Sequence, residues 1–489
     1  MSMVAHGYGI SNFGSPNLVF SNILWGYLVR ALPEIQGILG YSLATLVTIW
    51  LAGTAILQGM IRLGIGALAS YGALLLILAR PVLFPQFTIN AGLLMIGAVI
   101  FAHLYGLNKS HWVLILGCAL AYASFIVRIP EFTLILLIAM PLLPWHVLRN
   151  YRTPRIAIAL LLTTLVVSAA FDHNSYQSVD WHSFNDLNPA RAPITDFGAD
   201  YALKQRPDII ERHGYSVNDI DLIAKFFLVD GQIADPRKLN AMLSELAPRH
   251  AWEASLDKGL LGIKGLFHPA LSPITVAALL LAFLHPSWNV AATWGLTVIA
   301  LFAIGFYGRP AILHTYIPVA SLLVIAPLLM LKPRTWRLHL TTVIIVIAAA
   351  FNTVVTAQES LRLQARAAEI RTALAGFPIS TIAVWGATFP FESVYPAFHV
   401  WQPALQYRIH GLGTFSLAPF SVTMSEQHAG RSVAELLKTE GGLPIIADPL
   451  RMNMLKIYCA EHFSGRLREI SSADFGPVTL SWQRCEALS

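Results

Sequence analysis

Negative charge is nearly missing from the start of this chain: between residues 1 and 130 the single carboxylate is Glu34. Charged residues of both signs make up 12% of the sequence, hydrophobic ones 55%, and the mean hydropathy is +0.59. A soluble domain carries about twice that share of charge. Such a stretch has no means of building a water-facing surface, so lipid or other protein must cover it. Other signatures are absent too. There is no metal-ligand spacing, no phosphate-binding glycine loop, no nucleophile elbow, no internal repeat and no low-complexity tract. The net charge of +6 is modest and sits largely in loops, which argues against a nucleic-acid partner. Residues 1–16 have neither a basic region nor a cleavage site, so no signal peptide is expected there.

What the chain does have is long apolar runs. A membrane span needs about 20 apolar residues with almost no charge. The runs predict spans at Gly40–Leu57, Leu63–Leu83, Phe87–Leu107, His111–Val127, Phe132–Leu148, Arg155–Phe171, Ile274–His285, Asn289–Phe306, Ala311–Leu331 and Leu338–Ala357. Lysine and arginine in short loops favour the cytoplasmic side. One alternating set of loops carries Arg62, Lys109, Arg149, Arg152, Arg155, Lys332, Arg334 and Arg337; the opposite set carries only Arg80, Arg128 and Arg309. That asymmetry places the N-terminus, residues 172–272 and residues 358–489 together on the outer side.

These runs divide the chain into an N-terminal segment (1–38), two blocks of spans (39–171 and 273–357), an outer helical segment (172–272) and an outer α/β domain (358–489). In the first, Leu18, Phe20, Ile23, Leu24, Tyr27, Leu28 and Leu32 recur at helical spacing, which predicts an amphipathic helix in the membrane interface; a first transmembrane span is the alternative. Residues 216–229 read as a capped helix and Asp235–Leu246 as another. In the last domain, strands are expected at Thr381–Trp385, Leu443–Ala447, Leu467–Ser471 and Val478–Trp482. Helices are expected at Gln358–Leu374, Ser432–Thr439 and Leu450–His462. Cys118 falls in a span. Cys459 and Cys485 share the outer domain, where an oxidising compartment lets them pair; two free buried thiols are the alternative.

Candidates for chemistry are few. Arg128, in the run RIPE, and Arg309, in FYGRP, sit at the outer membrane edge against the basic bias. A guanidinium fork matches phosphate oxygens, so the pair can clamp a lipid phosphate. The structural alternative is an arginine bound to headgroups or to Glu131. Asp219 and Asp221 form a D-x-D pattern that can hold a divalent cation or accept a proton from a hydroxyl, or can simply cap a helix. Asn188, Arg191 and Asp196 stand together in NDLNPARAPITDFG and can line a cleft or fix a loop. Asp196, Asp219 and Asp221 are therefore the catalytic candidates, and Arg128, Arg309, Arg191 and His314 the substrate-binding ones. The metal ligands are unknown. A divalent cation on the D-x-D pair is the one cofactor candidate.

Five runs carry a family resemblance: GSPNLVFSNILWGYLVRALPEI, ASFIVRIPEF, NPARAPITDF, GYSVNDIDLI and YGRP. Over residues 10–330 the chain resembles the GT-C class of polytopic bacterial glycosyltransferases, which use polyprenyl-phosphate sugars. The resemblance implies an α-helical polytopic membrane protein of about ten spans, with an outer helical segment and a C-terminal α/β soluble domain. It implies an inner-membrane location, a polyprenyl-phosphate-linked sugar as donor, and a cell-envelope glycan or lipid as acceptor. The class carries an acidic catalytic residue in its first outer loop; here only Glu34 is available there. Two other readings stand beside it. One is a non-catalytic scaffold subunit of an envelope or energy-transducing complex, with membrane-protein partners. The other is a transporter or flippase, which needs mid-span ionisable residues that are scarce here.

The even number of spans generates a direct test. Single cysteines placed beside Asp200 and Glu426 should both react with a membrane-impermeant maleimide in intact spheroplasts. Reaction at only one of them would overturn the topology.

Overall fold

The structure, a computed structural model, describes residues 1–246, 255–331, 335–398 and 406–487. Each predicted span coincides with an apolar helix. Five are long and apolar enough to cross a membrane alone: Gly40–Arg62, Phe87–Asn108, Arg152–Ser175, Trp288–Phe306 and Trp336–Gly376. Four shorter apolar helices are Ala67–Leu83, His111–Val127, Ile129–Leu142 and Leu313–Leu329. A helix of 17 residues rises about 25 Å, slightly less than the hydrocarbon core of about 30 Å.

The remaining predicted span, at Ile274–His285, is too short by itself. The helix Ser272–Leu284 follows Leu256–Phe267 across an 88° bend, and the two together meet the length of a span. Residues 256–267, expected in the outer segment, thus pack on the bundle. The contact is made by small residues: a Cβ on Gly262 would come within 2.3 Å of the Leu301 carbonyl oxygen, and one on Gly305 within 2.4 Å of that of Lys258.

Phe87–Asn108 and Leu313–Leu329 form the centre of the bundle, buried along nearly their whole length. Arg152–Ser175 lies at the rim, where Leu160 and Val166 are 64% and 68% exposed. Apolar exposure on this scale requires lipid around the bundle, and the chain is a membrane protein. Several polar groups inside the bundle find partners. Asn90 Nδ2 donates to Thr48 Oγ1 (2.8 Å), Ser124 to the Ala91 carbonyl (2.7 Å) and Asn352 to the Leu76 carbonyl (3.0 Å).

Each of the three arginines expected at the outer edge contacts a segment expected outside. Arg80 makes a two-pronged pair with Glu359 (2.7 and 3.0 Å), Arg128 stacks on Phe20, and Arg309 pairs with Asp196. At the other end Lys109 packs over Tyr151. Lys332 and Arg334 lie outside the described residues.

The N-terminal segment differs from expectation. Its second helix spans only Ile23–Ala31, capped by Asn22, and rises about 14 Å. The Asn22 side-chain amide donates to the Ser168 carbonyl (3.0 Å) and the Ile23 amide to Asp172 Oδ1 (2.7 Å). Asn22, one of the polar residues that break the apolar pattern, thus docks this helix on the bundle, while Arg30 and Glu34 are exposed. Further upstream, the Gly9 and Ile10 carbonyls accept from Ile409 and Val422, so the N-terminus is stitched to the C-terminal sheet.

That sheet has strands β1 (Ile382–Trp385), β2 (Ile409–Leu412), β3 (Leu443–Ile446), β4 (Gly465–Phe475) and β5 (Val478–Ala487), in the order β2-β1-β3-β5-β4. The first three are parallel; β5 runs antiparallel to both β3 and β4. Four strands were predicted, and β2 was not. Its sequence, IHGL, reads as a loop because glycine is depleted in strands. The last span continues as one helix to Ala373, and Pro449–Phe463 forms the helix predicted at 450–462. Cys459, on that helix, is joined by a disulfide to Cys485 on β5, with Cα atoms 5.8 Å apart.

The outer helical segment and the sheet share one core. Phe227 packs on Trp385 and Tyr458, with ring centroids 5.1 and 5.2 Å apart, and Trp385 Nε1 donates to the Lys225 carbonyl (2.6 Å).

Beneath this core His410, on β2, is 1% exposed and neither ring nitrogen has a hydrogen-bond partner among the described residues. Burial pulls its pKa from 6.5 to about 4, against the opposing charge of Glu426. The folded state therefore keeps His410 neutral, while the unfolded chain gains a proton as pH falls through 6.5. Stability should drop by about 2 kcal/mol between pH 7 and pH 5 from this group alone. Thermal unfolding of His410→Leu should lose that part of the pH dependence.

Candidate functional site

The helix His182–Asp196 carries Asn188, Arg191 and Thr195 along one face, because residues three and four apart are neighbours on a helix. Arg191 is buried at their centre. Its guanidinium donates to Asn188 Oδ1 (2.5 Å), Thr195 Oγ1 (2.7 Å) and Asp196 Oδ2 (3.4 Å), and lies 5.0 Å from the Phe226 ring centroid. Burial lowers the Arg191 pKa from its ordinary value, and Asp196 opposes that shift.

The other Asp196 oxygen forms an ion pair with Arg309, 3.0 Å away. Arg309 reaches it from the turn after Trp288–Phe306 and packs over Phe197 at 5.5 Å. Two guanidinium groups thus share one carboxylate, leaving an excess of one positive charge. The Arg309 side chain is 50% exposed. This cluster joins three of the residues singled out in the sequence, from segments far apart in the chain.

Arg128 and His314 lie at the same end of the bundle in a second cluster. Arg128 Nε is 2.5 Å from Glu131 Oε2, and Phe20 and Phe87 flank its guanidinium. Glu131 also accepts from Thr315 (3.4 Å), the residue after His314, and the Arg128 charge reaches the half-buried His314 ring. The expected two-arginine clamp is therefore divided. Arg128 is closed by its own carboxylate and stacked between rings, whereas Arg309 shares Asp196 with Arg191.

No family model and no curated protein matches the chain. Among solved structures it is similar to the crystal structure of ArnT from Cupriavidus metallidurans bound to undecaprenyl phosphate. The identity is 14%, the match covers 98% of this chain and 95% of that one, and the TM-score is 0.38.

The D-x-D pair does not make one site. Residues two apart on a helix point about 200° apart. Asp219 is the third residue of a capping box. Its Oδ2 accepts from the Ser216 amide (2.8 Å), and Ser216 Oγ accepts from the Asp219 amide (3.0 Å). Its other oxygen meets His462 Nε2 at 2.9 Å. Asp221 points elsewhere and pairs with Lys204 (2.5 Å). Of the readings the D-x-D pattern allowed, Asp219 shows the capping one: the two carboxylates hold structure on two different faces, and neither pairs with Arg191 or Arg309.

Asp219, Glu461 and His462 place one ligand atom each within 4.8 Å of one another, and are the residues able to hold a divalent cation among those described. In this structure they form a hydrogen-bonded seam instead. Glu461 accepts from Ser216 Oγ (2.8 Å), and the Asp219 hydrogen bond raises the His462 pKa. Sequence reasoning missed the roles of Thr195, Phe197 and Phe226. Thr195 carried a signal, since it stands four residues after Arg191 on a predicted polar cluster.

The arrangement makes unequal demands on its two arginines. Asp196→Asn leaves the buried Arg191 guanidinium without a counter-charge and should destabilise by about 2 kcal/mol. Arg309→Ala removes an exposed partner and should cost less than about 1 kcal/mol. Thermal unfolding in nanodiscs separates the two; equal losses would contradict this account.

Proposed function

We propose that the protein transfers a sugar from a polyprenyl-phosphate donor to a cell-envelope glycan or lipid at the outer face of the bacterial inner membrane. The observation that carries this reading is the Arg191–Asp196–Arg309 cluster. It has a net positive charge, a half-exposed guanidinium and a carboxylate, and it stands at one end of the bundle, which suits an anionic lipid headgroup. Arginine forks bind phosphate oxygens in pairs.

In this reaction the acceptor O–H gives its proton to the Asp196 carboxylate. The acceptor oxygen bonds to the anomeric carbon from the face opposite the phosphate. The anomeric C–O bond breaks, and the phosphate leaves with the electron pair while Arg309 stabilises its charge. Arg191 positions Asp196 from behind. Assignment of this face to the extracytoplasmic side rests on the lysine and arginine bias of the loops.

A second reading, a non-catalytic membrane subunit, is favoured by one observation. Arg128 is closed by Glu131, and Glu34, the only early carboxylate, is exposed on a loop. Binding of undecaprenyl phosphate to the protein in nanodiscs, read by native mass spectrometry, distinguishes them. The enzyme reading expects saturable binding, weakened about tenfold or more in Arg309→Ala and less in Arg309→Lys. Absence of binding, or binding indifferent to both changes, would support the subunit.

A further inference from the structure

We propose that the C-terminal sheet carries a separate binding site for a neutral six-membered sugar ring. In parallel α/β sheets ligands settle in the crevice beyond the carboxyl ends of the strands. At this edge the notch between β1 and β3 is filled by the protein itself. Thr388 Oγ1 lies 3.2 Å from both the Trp385 and Ile446 carbonyl oxygens, and Arg451 packs against Gly386. The open space lies instead over β1 and β2, as a cavity of about 160 Å³. A cavity of about 150 Å³ accommodates one benzene-sized ring.

The lining selects the chemistry. None of the residues lining the cavity is charged, which disfavours a phosphate or carboxylate ligand. Phe391 and Phe415 supply apolar faces. Both rings are braced, Phe391 by Phe389 (5.1 Å) and Phe415 by Phe20 and Phe420 (5.7 and 5.8 Å). Ile10, fixed through its carbonyl to the Val422 amide, adds a wall from the N-terminal segment. The walls are thus set before a ligand arrives.

Three hydroxyls complete the lining. Ser421 already donates to the Ser416 carbonyl and Thr423 to the Gly411 carbonyl, so each offers a ligand only acceptor lone pairs. Thr414 makes no side-chain hydrogen bond among the described residues and can donate or accept. A ligand with many O–H donors and apolar ring faces suits this set, and a pyranose has both. Thr414 also borders the small void beside Asn188 and Arg191, so the cavity adjoins the charged cluster, although the proposal does not depend on lipid-phosphate binding.

The test uses the full chain in nanodiscs free of glycoside detergent, with saturation-transfer NMR on methyl glucopyranoside, mannopyranoside and galactopyranoside. Benzyl alcohol serves as an uncharged aromatic control. At least one pyranoside should receive saturation. A Cβ on Gly413 would meet no atom within 4 Å, so Gly413→Val should fold, occupy the cavity and abolish the signal. Thr414→Val keeps the shape and removes the hydroxyl, and should weaken binding about fivefold at unchanged melting temperature. It decides the matter if Gly413→Val does not fold. No saturation of any pyranoside, a signal indifferent to these substitutions, or binding of benzyl alcohol alone would overturn the proposal. None of these outcomes bears on undecaprenyl phosphate.

Discussion

Backbone N–H and C=O groups inside a bilayer must be satisfied by the chain itself, and the architecture follows from that constraint. Every apolar run becomes a helix, and the bundle closes around the two most buried, Phe87–Asn108 and Leu313–Leu329. Polar side chains within it bond to backbone carbonyls of neighbouring helices, as Ser124 and Asn352 do. The shortened span Ser272–Leu284 is completed by a bent partner, held close by Gly262 and Gly305.

Charge is then confined to the ends of the bundle, where it does a second job. Arg80, Arg128 and Arg309 each tie a helix end to a different outer segment, through Glu359, Phe20 and Asp196. The outer parts do not behave as independent attachments. The N-terminal strand-like segment hydrogen-bonds along β2 and residue 422, and the helical segment shares a core with the sheet around Phe227 and Trp385. One body built from these parts therefore sits on one end of the bundle.

The candidate chemistry lies at that junction. Asp196 stands between a buried and a half-exposed arginine, an arrangement that fixes the carboxylate. The Arg128–Glu131 pair nearby is closed and packed between aromatic rings, which suits anchoring more than ligand capture. Asp219, for which the sequence allowed either chemistry or helix capping, caps a helix start and ties it to His462 of the C-terminal domain.

Local pattern settled much of this protein. Scarce charge and apolar runs located the ten apolar helices. The stretch SVNDID announced a capped helix, and alternation with flanking turns announced four strands. These signals are legible because they arise between residues a few positions apart. What the sequence could not decide was partnership between distant residues. IHGL became β2 because β1 lay ready to pair with it and Gly9 gave a further hydrogen bond, which outweighed its poor strand propensity. Asp196 found Arg309, and Asp219 found His462, only because the chain brought those segments to one end of the bundle. Hydrogen bonds and ion pairs act over a few ångströms whatever the separation along the chain, so the tertiary fold alone chose which of several plausible charges would meet.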